Sequence, residues 1–195
     1  MLLVRPGELR KAQWCEIDLD NGLWYVPSAR LKRTKLEKEE GEPHFVALST
    51  QAVQVLEELF QLTGRSALVF PGERHRDRPM SENTVNAALR AMGYAKDEMT
   101  AHGFRATART LIVETLGFAE AVAEMQLAHA VKDANGTAYN RAEFLTKRQE
   151  MMQAWSDYLE DLRLGRSKIK HSVLPEFKPV TLRHGNTHAI KAIPL

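Results

Sequence analysis

The distribution of apolar positions changes character near residue 49. Before it, apolar residues come in short runs of the strand type. Trp14 to Ile17 and Leu23 to Val26 are two such runs, and Asp18-Leu19-Asp20-Asn21-Gly22 between them carries an Asn-Gly step that favours a hairpin. A third run, His44 to Leu48, follows a charged stretch at 33–43 that reads as a loop. The expectation is a small antiparallel sheet of three strands near the N-terminus.

After residue 49 the apolar residues recur at helical spacing. Ser49 can cap a helix with Ala52, Val53, Leu56, Leu59 and Phe60 on one face, stopped near Gly64. Ser81 can cap a second, with Val85, Ala88, Leu89 and Met92 inward and Gly93 at its end. Phe104, Ala108, Leu111, Ile112 and Thr115 form a stripe that ends at Gly117, and 122–128 suits a short helix. The last strong stripe is Met151, Trp155, Tyr158, Leu159 and Leu162. These patterns predict an α+β fold, mainly α, in which residues 1–162 form one domain. Residues 163–195 contain Pro175, Pro179 and Pro194 without periodicity, and read as a basic, weakly ordered tail.

Composition narrows the function classes. The chain has 195 residues, 44% hydrophobic and 27% charged, ordinary values for a globular domain. No apolar run approaches the roughly 20 residues of a membrane helix, and the single Cys15 excludes an internal disulfide or a cysteine zinc cluster. A reducing, cytoplasmic location is expected. Net charge is +2, but residues 163–195 carry seven Lys or Arg against Glu176 alone. Contact with nucleic acid must therefore use local patches on a mildly acidic body. Two are visible: Arg30, Lys32, Arg33, Lys35 and Lys38; and Arg74, His75, Arg76 and Arg78.

Five segments hold the candidate chemistry. They are Val4-Arg5-Pro6-Gly7-Glu8-Leu9, Ser28-Ala29-Arg30-Leu31-Lys32, His102-Gly103-Phe104-Arg105, Leu127-Ala128-His129 and Ala138-Tyr139-Asn140-Arg141. Taken singly, each suits a surface or packing residue. Taken in this order and spacing, they resemble the tyrosine recombinases of the phage-integrase type. Trp14 with Glu16-Ile17-Asp18, Leu68-Val69-Phe70-Pro71 and Met151-Met152-Gln153-Ala154-Trp155 extend the likeness to about residues 3–162.

The resemblance implies site-specific DNA recombination and integration by strand cleavage and rejoining. Arg5 and Arg105 would clamp the phosphate, as guanidinium forks do without losing charge. Lys32 would protonate the departing 5′ oxygen, and His102 would act as general acid or base. His129 would donate to a non-bridging oxygen, Glu8 would orient the site, and Tyr139 would attack phosphorus to give a 3′-phosphotyrosyl bond. Of the four tyrosines, only Tyr139 stands at the right distance after His129. Because the covalent bond conserves energy, no cofactor and no metal are expected. Arg30, Arg33, Lys35, Arg74 and Arg76 are the candidate DNA contacts. Double-stranded attachment sites, a homo-tetramer in the synaptic complex and DNA-bending accessory proteins are the implied partners, with no membrane.

Such recombinases carry upstream core-binding and arm-binding domains, and the chain as given also lacks most of the first catalytic-domain helix. That leaves room for an inactive remnant that only binds DNA or a partner recombinase, or for topoisomerase IB-like nicking and relaxation. A histidine metalloenzyme fits poorly, since His102 and His129 have no His-x-x-x-His partner or close carboxylate set.

Overall fold

The computed structural model describes residues 1–32, 34–129 and 141–166. Pro6, whose ring presets a helical φ, opens the one-turn helix α1 (Pro6–Leu9) directly after Arg5. Trp14–Glu16 winds into a 3-10 turn and does not start a strand as expected. The Glu16 carboxylate accepts from the Gln13 amide at 3.2 Å, which favours the turn. The sheet follows: β1 (Ile17–Asp18), β2 (Leu23–Val26) and β3 (His44–Ala47), antiparallel in the order β1-β2-β3. Asp18 pairs with Leu23, so the hairpin loop is residues 19–22. The Asp18 carboxylate accepts from the Asn21 amide at 3.0 Å, and Gly22 takes a φ of +61°. A side chain at Gly22 would press on the Leu48 carbonyl at 3.3 Å.

The charged stretch between β2 and β3 is not all loop. Lys35–Glu40 forms α2, because Lys, Leu and Glu are strong helix formers and nothing apolar needs burying there. Ser49 caps α3 (Thr50–Thr63) as expected, its hydroxyl accepting from the Ala52 amide at 3.2 Å. The next helix, α4 (Thr84–Ala91), starts later than Ser81, whose hydroxyl instead meets that of Thr84 at 3.1 Å. Of its predicted inward face only Leu89 is buried, while Ala88 and Met92 are exposed. Gly93 ends it at φ +96°. Then come α5 (Gly103–Glu114), α6 (Glu120–Gln126) and the long α7 (Arg141–Arg163). No described helix is long and apolar enough to cross a membrane.

Two cores result. One joins the sheet to α3 through Trp24, Val26, Leu31, Val46, Leu56 and Val69. The other joins α5, α6 and α7 through Ile112, Leu127, Met151, Met152 and Trp155. The N-terminal strap runs along their seam: Leu3 enters the second core, while Leu2 and Val4 pack on the first. Polar side chains lock the helices to β3. Buried Gln126 of α6 donates to the Ala47 carbonyl at 3.2 Å, and Arg148 of α7 donates to the Phe45 carbonyl at 2.8 Å. The Ser49 and Ser156 hydroxyls meet at 2.6 Å between α3 and α7.

Candidate active site

The seam between the cores is where distant segments of sequence meet. Arg5 precedes α1 with extended backbone, and its amide donates to Glu8 at 2.9 Å. Its guanidinium donates to the other Glu8 oxygen, also at 2.9 Å. Glu8 is only 5% exposed, so both its oxygens serve to fix Arg5. Arg105 lies in the first turn of α5 and is 6% exposed. One of its nitrogens donates to the Leu3 carbonyl and the other to the Leu127 carbonyl. The second nitrogen also faces His129 Nε2 at 3.1 Å. Arg105 thus ties the N-terminal strap, α5 and the end of α6 together.

Burial dominates the electrostatics of this group. Arg105 borders an apolar cavity of about 530 Å³, lined by residues such as Val4, Leu56, Phe104 and Trp155. Loss of water, then the positive charge of Arg5, pull its guanidinium down to about 10, against support from Glu8 and Glu124. It stays protonated at neutral pH, and the mutual repulsion of Arg5 and Arg105 marks a spot primed for an anion. Two fork-shaped donors and an imidazole at one seam suit the oxygens of a phosphate.

His129 reaches the seam through an unusual turn. Ala128, after α6, has φ +53°, a left-handed conformation that costs a residue with a Cβ. The His129 amide then bonds back to the Glu124 carbonyl at 3.0 Å. Its Nδ1 meets the Glu124 carboxylate, whose other oxygen accepts from Arg109 Nε at 2.5 Å. Burial tends to raise the Glu124 carboxyl, but hydrogen bonds from Arg109 and His129 outweigh it and hold it below the ordinary carboxylate range. A depressed carboxylate stabilises the fold above its unfolded-state value and loses that contribution only as pH falls through the lowered one. Replacing Ala128 by Gly removes the left-handed strain at some cost in unfolded-chain entropy. The expected net gain is about 0.5 kcal/mol, a rise in melting temperature of roughly 1–2 °C in thermal unfolding.

The remaining predicted residues sit as follows. His102 stands immediately before α5, exposed, its side chain without a hydrogen-bond partner among the described residues. It and Arg105 therefore differ sharply in exposure, although three residues apart. Lys32 is exposed after buried Leu31, on the connection from β2 to β3. Lys35 is exposed at the start of α2. Arg74 and Arg76 are exposed on a loop closed by the Pro71–Pro79 bridge. Arg30 is engaged within the fold, its guanidinium turned to Glu16 and to the Lys11 carbonyl. Tyr139 and Arg33 lie outside the described residues, as does the tail beyond residue 166. Sequence reasoning did not single out Glu124 or Arg109. The available signal was an acid on the helix that ends at the histidine, with an arginine one turn beyond Arg105.

Comparison with known proteins gives a consistent picture. The model of the Phage integrase family matches residues 2–146. The integrase of Enterobacteria phage P4 is 41% identical over 167 residues, covering 82% of this chain and 38% of that protein. The prophage integrase IntA of Escherichia coli K12 is 35% identical over 171 residues, covering 88% and 39% respectively. The chain therefore spans about two fifths of the length of these curated relatives. Among solved structures, a XerA recombinase matches with a TM-score of 0.51 at 18% identity, over 86% of this chain and 55% of that one. This last likeness concerns the fold.

Proposed function

This chain belongs to the phage integrase family, and from that premise we propose that it is the catalytic portion of a site-specific DNA recombinase with Tyr139 as nucleophile. The observation that carries the reading is the convergence of Arg5, Arg105 and His129, which come from three separate segments. Burying Arg105 costs desolvation, and the fold gains little from setting the like charge of half-buried Arg5 near it. An anionic substrate that neutralises both offsets that cost.

The reaction balances as a transesterification. The Tyr139 phenol oxygen bonds to phosphorus, the P–O5′ bond breaks, and a 3′-phosphotyrosyl link and a free 5′-hydroxyl result. A free phenol titrates near 10, so at neutral pH a tyrosine nucleophile must lose its proton as attack proceeds. His102 takes that proton, and Lys32 gives one to the departing 5′ oxygen. Arg5 and Arg105 hold the non-bridging oxygens, where negative charge grows. His129 donates to one of them. Rejoining reverses the steps with a different 5′-hydroxyl, so no external energy source enters. Lys35, Arg74 and Arg76 are exposed cations suited to flanking phosphates. Recombination between two duplexes requires four such chains, hence a tetramer on two attachment sites with DNA-bending proteins as helpers. Such a protein works on chromosomal DNA, which for a bacterial or phage element lies in the cytoplasm.

Covalent trapping tests the reading. The chain is incubated with labelled supercoiled and nicked DNA and quenched in detergent, and acid hydrolysis then identifies the linkage. A protein–DNA adduct that yields phosphotyrosine is expected. DNA cleavage through any other linkage, or no adduct even with a full-length relative supplying the rest of the assembly, overturns it.

A further inference from the structure

We propose that Glu124 is a positioning residue that sets the orientation and proton placement of His129, an inference that rests on the recombinase reading. The His129 ring is 44% exposed and therefore gets little of its placement from packing. Among the described residues, two polar contacts define it. Nε2 lies against an Arg105 nitrogen, and an arginine can only donate, so Nε2 is the acceptor there. Nδ1 then carries the proton and donates to the Glu124 carboxylate. Carboxylates that fix the second nitrogen of a working imidazole determine its tautomer and its aim.

Glu124 is itself anchored. It is 22% exposed, and its second oxygen is held by Arg109 Nε, whose guanidinium also reaches Glu120. The carboxylate is thus clamped from α5 while it orients a residue beyond the end of α6. Its backbone also accepts the His129 amide, so the loop and the ring are tied to one residue. When a phosphate occupies the guanidinium of Arg105, His129 must turn from acceptor to donor at Nε2. To do so while Nδ1 still donates to Glu124, it must hold protons on both nitrogens. Glu124 meets the imidazole directly, and on this proposal it acts through His129.

A double-mutant cycle tests this with the rate of covalent adduct formation at saturating DNA. Glu124→Gln keeps the shape and removes the charge. It is expected to slow cleavage by about 10–100-fold, the range for supporting partners of a functional imidazole, with DNA affinity unchanged. In a His129→Asn background the same change costs little more, since both substitutions remove one function. Glu120→Gln, which disturbs Arg109 alone, leaves the rate near that of the unaltered chain. Equal costs of Glu124→Gln in both backgrounds, or an equal loss in Glu120→Gln, overturn the proposal. Nitrogen NMR of the His129 imidazole provides a readout independent of activity. Protonated Nδ1 and bare Nε2 are expected in the free chain, moving toward a tautomer mixture in Glu124→Ala. An imidazole signature that does not move overturns the tether even if the chain cleaves no DNA. A signature that moves in a chain without cleavage keeps the tether and counts against the recombinase reading.

Discussion

Arg105→Ala is expected to abolish cleavage and to weaken the fold in the same protein. The chemical loss is at least about 10³-fold in adduct formation, because a cation placed at accumulating phosphate charge is worth that much or more. The structural loss comes from the carbonyls of Leu3 and Leu127, which lose their donor in a buried place. Each such orphan costs about 1–3 kcal/mol, partly offset by no longer burying a guanidinium, so about 3 kcal/mol is lost in all. For a chain of this size that lowers the melting temperature by roughly 6–12 °C. Arg105→Lys separates the effects. It keeps the charge and can reach one carbonyl, so about half the stability should return. The two-pronged geometry does not return, and cleavage stays at least about 10²-fold down. Thermal unfolding and single-turnover trapping on the three proteins check both halves. Full activity in Arg105→Lys would remove the fork from the mechanism.

Tyr139→Phe is expected to eliminate the covalent adduct while leaving stability and DNA affinity essentially unchanged. Only one oxygen is removed, and it is the atom that bonds to phosphorus in the proposed step. Removal of a nucleophile in a well-organised site typically costs about 10⁶-fold, far below detection in a trapping assay. Two of the other three tyrosines serve as controls. Tyr25 is half-buried on β2 with its ring packed edge-on against Phe45 at 5.0 Å. Tyr158 is buried and stacked on Trp155, and its hydroxyl has no partner among the described residues. Burial pushes the Tyr158 phenol up, which makes it a poorer nucleophile. Tyr25→Phe and Tyr158→Phe should therefore retain the adduct. Its survival in Tyr139→Phe, or its loss in Tyr158→Phe alone, would move the nucleophile elsewhere.

The sequence made some of this architecture legible and hid the rest for physical reasons. The strands at 23–26 and 44–47, the hairpin before the first of them and the Ser49 cap could be read because local chemistry decides them: alternation, an Asn-Gly turn and a hydroxyl that accepts from an amide. Helix α2 was missed because its stabilisation is pure propensity in a segment with no apolar face. Trp14 was taken for a strand residue because β-propensity favours aromatics, whereas a carboxylate two residues later winds the chain into a turn. Arg5, Arg105 and His129 were legible as letters in an order. That Arg105 is buried and held by main-chain oxygens was not, since carbonyl partners leave no trace in composition. The partner of Arg30 was hidden too: it stands in a basic run, yet it pairs with Glu16, fourteen residues earlier. Glu124 was invisible because its meaning depends on Ala128, whose left-handed turn brings His129 back over α6.

The two carbonyls that grip Arg105 have a consequence for how such a site can change over time. Every amino acid supplies the same peptide oxygen, so the grip on the guanidinium does not depend on which side chains occupy positions 3 and 127. Those side chains answer only to the core that they fill, where similar apolar shapes can be exchanged at modest cost. The aim of the arginine and the packing around it are thereby separate problems. Substitutions can accumulate in the surrounding core, one tolerable step at a time, without steering the guanidinium off target. A site built on side-chain partners would need paired replacements to drift as far.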